Sequence, residues 1–484
     1  MKTVIIGGGI IGGAVAWRLA REGAEVTILE RGQCGAEASW AAAGMIAPQA
    51  EAQGPGPFFD LCLKGRERFD AIAPGLRRDS GIDFEHGAGG ILYVAFNAEE
   101  QAELQERADW QRRSGGTVVE LSGKQAQELE PEVAPEVIYA LHMPRDRSVD
   151  NREVTRAYIA AAKAHGAQVR EQTRVEAIVA DGGRAVAVKL ATGERLAADV
   201  FVNAAGAWAG QIAGLEEDRV TTYPVRGQML CFEVNRDGAR PNIFSLHGYL
   251  VARRDGRLLA GSTMEEAGYD KRLTLAGIER ISRGALKMMP HLGAIPFREA
   301  WAGLRPATAD FLPVLGRSPS LPNVIYATGH FRSGILLSAI TGEIIADLVY
   351  DRAPAIDLTA FAAERFAART AIRALGLVRD ILFRSRIDAV AQTLGVRVAY
   401  ASNLEQARAR CFEETPAMVF ADLSDPNFPP AATVGELKRV CRDARLVGFA
   451  SHIDLKALKA ARDAGFDLTL SRSEFTARIP EFLR

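Results

Sequence analysis

The chain has 484 residues, of which 48% are hydrophobic and 25% are charged, an ordinary composition for a protein with two or three folded domains. Its 59 basic and 60 acidic side chains leave a formal net charge of −1, which gives no reason to expect a nucleic acid or an anionic membrane as a partner. No apolar run reaches the length of about 18 residues that a membrane-spanning helix needs. The five cysteines are scattered and contain no C-x-x-C pair, so we expect free thiols and a reducing, cytoplasmic location.

A dinucleotide-binding turn is predicted at the start of the chain. The apolar run of residues 4–6 is typical of a strand, and residues 14–21 are typical of a helix. Between them, Gly7, Gly9 and Gly12 satisfy the pattern G-x-G-x-x-G. The first glycine permits the tight turn, the second lets backbone N–H groups approach a pyrophosphate, and the third lets the helix pack closely on the strand.

Two features that follow this turn strengthen the prediction. A second apolar strand, residues 25–29, ends in Glu30, where an acidic residue can bind the ribose hydroxyls of an adenosine. Residues 34–45 are small almost throughout, so the backbone can run close against a flat ligand; the start of an alanine-rich helix is the alternative interpretation. Strand, turn, helix, strand and terminal acid together indicate a bound dinucleotide.

The chain then mixes helices and strands up to about residue 300. We predict helices over residues 58–73 (ended by Pro74-Gly75), 99–115 and 150–164, and strands over residues 90–96, 168–171, 175–178 and 199–208, the last of which enters a helix. From residue 222 to residue 300 the pattern changes to strands and turns, which indicates a β-rich insertion between nucleotide-binding parts.

Two arginines lie in unusual surroundings after this insertion. Arg305 belongs to Gly303-Leu304-Arg305-Pro306, and Arg332 lies in a glycine-containing turn between a strand and a helix that is predicted to start near Gly334. The N-terminus of that helix is a second place where polar atoms of a ligand can bind. Because both arginines lie among glycines and apolar residues rather than in a charge run, we favour functional roles over surface ion pairs.

Several of these segments together resemble the D-amino-acid-oxidase-like family of FAD-dependent oxidoreductases, and most closely its glycine oxidases of the thiamine pathway. The resemblance extends over about residues 1–365 and depends on residues 6–12, 41–45, 202–208, 303–306 and 329–337. It implies an α/β fold in which a Rossmann-type domain binds FAD non-covalently and carries an inserted substrate domain with an antiparallel sheet. The FAD-binding parts are expected at about residues 1–80, 145–220 and 300–365, and the substrate parts at about residues 81–144 and 221–299.

The same resemblance assigns roles to individual residues. Arg305 is expected to hold the substrate carboxylate with Tyr249 beside it, Arg332 to lie next to substrate and flavin, and Met264 to face the substrate side chain. Contacts to FAD are expected from Gly7, Gly9, Ile10, Ile11, Gly12, Glu30, Arg31, Ala38, Ser39, Ala43, Gly44, Met45, Val175, His330, Phe331, Arg332, Ser333, Gly334, Ile335 and Leu336. No metal ligands are predicted. If the amine binds neutral, hydride transfer needs no protein base, so His330 is interpreted as a flavin contact rather than a proton shuttle.

The expected activity is the oxidative deamination of glycine or a similar small amine acid, such as sarcosine or a small D-amino acid. Its products are the oxo acid, ammonia or an amine, and hydrogen peroxide formed from molecular oxygen, and the imine is expected to supply thiazole synthesis for thiamine. Two alternatives remain: a D-amino-acid dehydrogenase that passes electrons to a quinone, and a flavin-binding signalling module. We also expect a homo-oligomer.

A separate domain is predicted from residue 372 to residue 484. Five short strands alternate with helices there, which indicates a small doubly wound, flavodoxin-like domain, and the order of its motifs resembles a response-regulator receiver. Asp422 and Ser451 match that family, but Arg379 precedes Asp380 where a second acid is expected, and Ser471-Arg472 replaces the lysine. Because Mg²⁺ depends on charged oxygen ligands, we favour a docking domain without phosphotransfer and with an unknown partner; phosphorylation of Asp422 is the alternative.

Overall fold

The structure is a computed structural model that describes residues 1–87, 89–218, 220–234, 240–366, 372–451 and 454–483. The chain divides into two compact units, residues 1–367 and 368–484. The boundary that the sequence predicts between residues 365 and 372 falls on residues 367–371, which lie outside the described residues.

The first unit contains two large sheets and the helices that cover them. Its strands are β1 (Lys2–Ile6), β2 (Glu25–Leu29), β3 (Met45–Ile46), β4 (Ile91–Ala95), β5 (Val119–Ser122), β6 (Tyr139–Met143), β7 (Arg147–Ser148), β8 (Gln168–Arg170), β9 (Val175–Asp181), β10 (Arg184–Leu190), β11 (Arg195–Ala197), β12 (Val200–Asn203), β13 (Tyr223–Glu233), β14 (Asn242–Ser245), β15 (Gly248–Ala252), β16 (Arg257–Gly261), β17 (Phe297–Ala307), β18 (Val314–Arg317) and β19 (Val324–Thr328). Its helices are α1 (Ile10–Arg21), α2 (Ala38–Ala41), α3 (Pro48–Glu51), α4 (Pro57–Ser80), α5 (Ala98–Arg113), α6 (Gly123–Leu129), α7 (Asn151–Ala164), α8 (Leu275–Met288) and α9 (Gly334–Val349).

The first sheet of this unit is six-stranded, in the order β18-β19-β12-β1-β2-β8. Its strands are parallel except for β18, which pairs antiparallel with β19 at the edge. Helix α1 packs against α7 and α9, and these elements share one buried apolar core. The strand, turn, helix and second strand predicted for the N-terminus are confirmed, and they form the centre of this sheet.

Two glycines of the N-terminal turn are required by close backbone contacts. Gly7 has φ +109°, and a Cβ on it would lie 2.4 Å from the carbonyl oxygen of Ala204 on the neighbouring strand's end. A Cβ on Gly12 would lie 2.0 Å from the carbonyl oxygen of Gly7. Any side chain at either position would therefore separate α1 from the sheet, as the sequence pattern implies.

The second large sheet has eight strands in the order β17-β13-β16-β15-β14-β4-β6-β5. All its pairings are antiparallel except the parallel pair β14 and β4. Strand β17 pairs with β13 from Phe297 to Ala307, so residues 300–307 belong to this sheet and not to the FAD-binding part where the sequence placed them. Arg305 is therefore carried by the β-rich insertion.

Two predicted elements were wrong in detail. Helix α4 does not end before Pro74: it continues to Ser80 because Leu76 is buried on the same face as Phe69, and left-handed Gly81 (φ +70°) then caps it. Residues 222–300 contain a helix as well as strands, because α8 follows Thr274. The side chain of Thr274 caps this helix by accepting a hydrogen bond from the N–H of Gly277. The apolar face of α8 then packs against β13 and β15.

The second unit contains one five-stranded parallel sheet. Its strands are β20 (Ile372–Leu377), β21 (Arg397–Tyr400), β22 (Met418–Asp422), β23 (Arg445–Ala450) and β24 (Leu468–Ser471), and its helices are α10 (Ile381–Thr393), α11 (Leu404–Glu413), α12 (Pro430–Val440), α13 (Leu455–Ala464) and α14 (Arg472–Leu483). The strand order is β21-β20-β22-β23-β24, and every pairing is parallel. Apolar clusters of buried residues cover the sheet, so this unit has cores of its own.

Candidate active site

A cavity of about 710 Å³ in the first unit is lined by residues of both of its large sheets. On one side it is lined by residues that follow the parallel strands β1, β2 and β12: Gly7 and Gly9, Glu30, and Ala204. On the other side it is lined by β13, β15 and β17, through Gly227, Met229, Tyr249 and Arg305. Ligands of open α/β sheets bind at the carboxyl ends of the strands, and this cavity lies at that edge.

The nucleotide end of the cavity is built around the N-terminus of α1. Gly9 caps this helix without any side-chain hydrogen bond, and a Cβ on Gly9 would meet only Ser39 Oγ, at 3.3 Å. Ser39 Oγ in turn accepts from the N–H of Ile10 at 2.9 Å. The open space beside Gly9 and the helix dipole suit a phosphate group.

Glu30 lies at the same end of the cavity and is largely buried. Its Oε2 accepts from the N–H of Gly8 at 2.8 Å, and its Oε1 accepts from the N–H of Gly32 at 2.8 Å. A carboxylate has about four lone-pair sites, so these two bonds fix the side chain and leave acceptor capacity for ribose hydroxyls.

A second segment, residues 39–44, is held by hydrogen bonds to nearly all of its carbonyl groups. Asn151 Nδ2 donates to the carbonyls of Ser39 and Trp40 at 2.8 Å each, and Trp301 Nε1 donates to the carbonyl of Ala41 at 3.0 Å. The buried Arg253 donates to the carbonyl of Ala43 at 2.6 Å, and the N–H of Val149 donates to the carbonyl of Gly44 at 2.8 Å. The cavity-lining backbone of this segment is thus fixed in place, and its small side chains leave room for a flat ligand.

Most residues predicted to contact FAD line this cavity. They are Gly7, Gly9, Ile10, Ile11, Glu30, Arg31, Ala38, Ser39, Ala43, Gly44, Met45, Val175, His330, Phe331, Arg332, Gly334 and Ile335. Gly12, Ser333 and Leu336 are not among the lining residues. Gly12 packs on Gly7, and the side chains of Ser333 and Leu336 are buried in the protein.

The substrate end contains Arg305, whose guanidinium is held by neutral groups. Nη1 donates to the carbonyl of Thr263 at 3.1 Å, and Nη2 donates to Ser262 Oγ at 2.7 Å. Gly227 provides the space, because a Cβ there would lie 2.1 Å from Nη1. Within the described part of the chain no carboxylate pairs with Arg305, and burial lowers the pKa of its guanidinium. This arginine is a partly buried cation that has no carboxylate partner among the described residues.

Tyr249 lines the cavity beside Arg305. Its ring stacks on that of Phe244 at 5.4 Å between centroids, and its hydroxyl group donates to Met229 Sδ at 3.3 Å. These contacts fix the ring, so Tyr249 narrows the substrate end.

Met264 does not line the cavity. Its Sδ lies 3.7 Å from Arg332 Nη1. The predicted contact between Met264 and the substrate side chain is therefore replaced by a contact with Arg332.

Arg332 differs from Arg305 because it has a carboxylate partner. Its Nε lies 2.8 Å from Glu51 Oε2, and both side chains line the cavity. Burial works against the charge on Arg332, but the neighbouring Glu51 outweighs it and raises the pKa of the guanidinium. Glu51 is not among the residues predicted from the sequence, because it is far from Arg332 in the chain and no local pattern marks an acid at the end of a four-residue helix.

His330 lines the cavity but cannot carry charge near neutral pH. Burial lowers its pKa to about 3, and its Nε2 lies 3.0 Å from Thr341 Oγ1. A neutral, hydrogen-bonded imidazole is a poor proton acceptor at this position.

Across the described ranges, no group of His, Cys, Asp and Glu side chains is arranged to hold a metal ion. The helices of those ranges also include none with the length and apolar character of a membrane span.

Comparison with known proteins identifies the class of this enzyme. A profile of the FAD dependent oxidoreductase family (DAO) matches residues 2–348, so the chain belongs to that family, is an enzyme and uses FAD. The family resemblance and the α/β fold expected for this part of the chain are confirmed.

Its relatives narrow the class further. It is 35% identical to a glycine oxidase of Bacillus licheniformis over 369 residues, which are 75% of this chain and 97% of that protein. It is 36% identical to the bifunctional protein ThiO/ThiG of Synechocystis, over 76% of this chain and 54% of that protein. The crystal structure of glycine oxidase from Geobacillus kaustophilus superposes with a TM-score of 0.72 at 32% identity, over 75% of this chain and 97% of that one. The relatives support FAD-dependent oxidation of a small amino acid.

Proposed function

We propose that the enzyme oxidises glycine or a similarly small amine acid, such as sarcosine or a small D-amino acid, to the imine. Water then converts the imine to the oxo acid and ammonia or an amine, and molecular oxygen takes up the two electrons as hydrogen peroxide. The observation that carries this proposal is Arg305, a partly buried guanidinium that lines the cavity and whose hydrogen-bond partners are neutral. A planar fork of N–H donors suits a carboxylate, and charge-assisted pairs of this kind are the strong ones.

The residues around the cavity are suited to hold FAD. Gly7, Gly9 and the N-terminus of α1 would receive the pyrophosphate, and Glu30 would bind the ribose. The fixed backbone of residues 39–45 and the turn from His330 to Ile335 would bind the flavin ring and its side chain. When bound, FAD supplies the hydride acceptor for the α carbon of the substrate.

The protein side chains then position the substrate and exclude water. Arg305 would hold the carboxylate in one orientation, which directs the α C–H toward the flavin side of the pocket. Tyr249 and Met229 both line the cavity and contact each other at 3.3 Å, and they would close the end of the pocket. If the substrate amine binds uncharged, hydride transfer needs no protein base. His330 is neutral and bonded to Thr341, so we do not assign it that role.

We propose thiazole synthesis for thiamine as the process that uses the imine. The resemblance to glycine oxidases of that pathway and the similarity to a bifunctional ThiO/ThiG protein support this role. Isotope-labelled glycine, incubated with the enzyme and a thiazole-forming partner, would test it by transfer of the label to the thiazole.

A peroxide-coupled screen of the flavin-loaded enzyme tests the proposed reaction. Glycine, sarcosine, D-alanine, D-proline and a set of L-amino acids would be compared, and flavin absorbance would be followed in parallel without oxygen. We expect saturable flavin reduction and peroxide with at least one small amine acid. Reduction without peroxide, but with turnover when a quinone is added, would establish the dehydrogenase alternative; no reduction by any amino acid would refute the proposal.

For the second unit we propose a flavodoxin-like, receiver-like docking module without phosphotransfer. Asp422, at the end of β22, accepts from Arg472 Nη2 at 2.7 Å, and Arg472 Nη1 lies 4.0 Å from Asp380 Oδ2. A guanidinium between the two acids opposes the binding of Mg²⁺ there, since like charges repel. Incubation of the full chain with acetyl phosphate and Mg²⁺ tests this: a hydroxylamine-labile adduct that Asp422→Asn abolishes would overturn it.

A further inference from the structure

The substrate end of the cavity holds two guanidinium groups and one carboxylate. Arg305, Arg332 and Glu51 all line the cavity, and Glu51 pairs with Arg332 at 2.8 Å. The side chain of Glu51 is only 5% exposed and that of Arg332 only 19% exposed, so bulk water screens this pair weakly. One cation, Arg305, is left without an anion among the described residues.

The backbone of α3, which ends at Glu51, is held by the buried groups that surround it. Asp146 Oδ2 accepts from the N–H groups of Gln49 and Ala50 at 3.1 Å each, and Asp146 Oδ1 accepts from Arg66 Nη1 at 2.8 Å. Arg107 Nη1 also donates to the carbonyls of Gln49, at 3.1 Å, and Ala52, at 2.7 Å. These bonds fix the backbone that carries Glu51, and from this position its carboxylate lies 2.8 Å from Arg332 Nε.

We propose that Glu51 is a specificity-determining residue, which cancels the charge of Arg332 so that the pocket accepts amino acids with one carboxylate and rejects those with a second acidic group. The inference rests on the proposed oxidation of a small amine acid and names the class of substrate: neutral amino acids rather than acidic ones. A second carboxylate in the pocket would have to compete with Glu51 for Arg332 and would lie against a like charge. Binding sites commonly reject a wrong ligand through such a repulsive element.

Replacement of the charge should reverse this selection. In Glu51→Gln, Arg332 loses its anion while the shape of the side chain is kept, so the pocket gains a second free guanidinium for a carboxylate. Glu51→Asp keeps the charge and should keep the selection. Glu37→Gln is the matched control, because Glu37 also lines the cavity but pairs with Arg31 and Lys271 at the nucleotide end.

The test uses ligand binding to the flavin-loaded enzyme at constant ionic strength, followed by the change in flavin absorbance. Acetate carries one carboxylate and malonate carries two, and neither needs to be oxidised. In the wild type, acetate should bind more tightly than malonate, and the acetate preference should fall by at least about tenfold in Glu51→Gln but not in Glu51→Asp or Glu37→Gln. The same change should appear when flavin reduction by glycine is compared with reduction by iminodiacetate.

Two results would overturn the proposal. One is equal or tighter binding of malonate in the wild type, which needs no variant and so does not depend on how Glu51→Gln folds. The other is an unchanged acetate preference in a flavin-loaded Glu51→Gln enzyme. Failure of the proposed reaction is recognised separately, because it would abolish reduction by glycine while the selection between acetate and malonate remained.

Discussion

Arg305 lies on the edge strand β17 and Asp422 lies at the end of the central strand β22, and the surroundings of these two charged groups differ. Arg305 faces a cavity and bonds to Thr263 and Ser262, which carry no charge. Asp422 is 5% exposed and its carboxylate is neutralised by Arg472 at 2.7 Å. A buried charge is costly unless a counter-charge compensates it. In the second unit the protein supplies that counter-charge, whereas in the first unit we propose that the carboxylate of a substrate supplies it.

The largest effect is expected from loss of the space that the first unit keeps for its cofactor. Gly9→Val should abolish flavin binding, because the branched side chain would fill the pyrophosphate site beside Ser39. Gly54→Val is the control, since nothing lies within 4 Å of a Cβ at that position. The flavin content after purification measures both. A Gly9→Val protein with one flavin per chain would contradict the assigned turn.

Removal of the Arg305 guanidinium should weaken substrate binding without loss of the cofactor. Arg305→Ala should raise the apparent KM for the preferred substrate by about tenfold to a hundredfold, because a charge-assisted contact contributes about 1.5–3 kcal/mol. Arg305→Lys should recover only part of this, since an ammonium group cannot form the same fork. Steady-state kinetics on flavin-loaded variants would show it, and an unchanged KM in Arg305→Ala would place the carboxylate elsewhere.

The two charges should also differ in their effect on stability. Arg472→Met leaves Asp422 buried without its cation and should lower the free energy of unfolding by about 1–2 kcal/mol, the lower part of the usual range because Arg472 is 40% exposed. Arg305→Met removes a partly buried charge that has no counter-charge in the described part of the chain and should cost less than this in the absence of substrate. Urea unfolding of both variants measures the difference, and a larger loss in Arg305→Met would reverse the comparison.

The smallest effect concerns Glu100, another carboxylate whose charge is compensated by neighbouring groups. Burial alone would raise its pKa, but bonds from His247 and the N–H of Phe96, with Lys287 nearby, lower the pKa from 4.5 to about 2. The stabilisation from this carboxylate is therefore complete above pH 4.5 and is lost as the pH falls toward 2. Glu100→Gln should be less stable than the wild type at neutral pH, and thermal unfolding should show that gap closing between pH 4.5 and 2. A gap that stays constant with pH would contradict the assignment.

Sequence reasoning was successful where local patterns determine the structure. The first turn, β2 and helix α7 follow from glycine spacing, apolar strands and the cap at Asp150, which accepts from the N–H groups of Arg152 and Glu153. The family motifs also predicted Arg305, Tyr249 and most of the expected FAD contacts correctly as parts of one site, since all of these line one cavity. These features depend on residues that are close together in the chain or belong to a recognisable segment.

The features that were missed depend on contacts between distant residues. Helix α4 continues past Pro74 because Leu76 is buried on the face it shares with Phe69, and no propensity argument includes that packing. The pair of Glu51 with Arg332 requires α3 to be fixed by Asp146, which follows in a different part of the chain. Compensation of Asp422 by Arg472 was foreseen only as a missing lysine, since the distance between them is a property of the folded sheet.

The central claim is that Arg305 is an open cation that binds the carboxylate of a small amine acid for oxidation by FAD. The most direct test is an anaerobic titration of the full-length, flavin-loaded enzyme with glycine, sarcosine and D-alanine, beside Arg305→Ala loaded to the same flavin content. We predict saturable bleaching of the flavin by at least one of them in the wild type, with about tenfold to a hundredfold more substrate needed in Arg305→Ala. Equal bleaching of both proteins, or bleaching of neither, would contradict the claim.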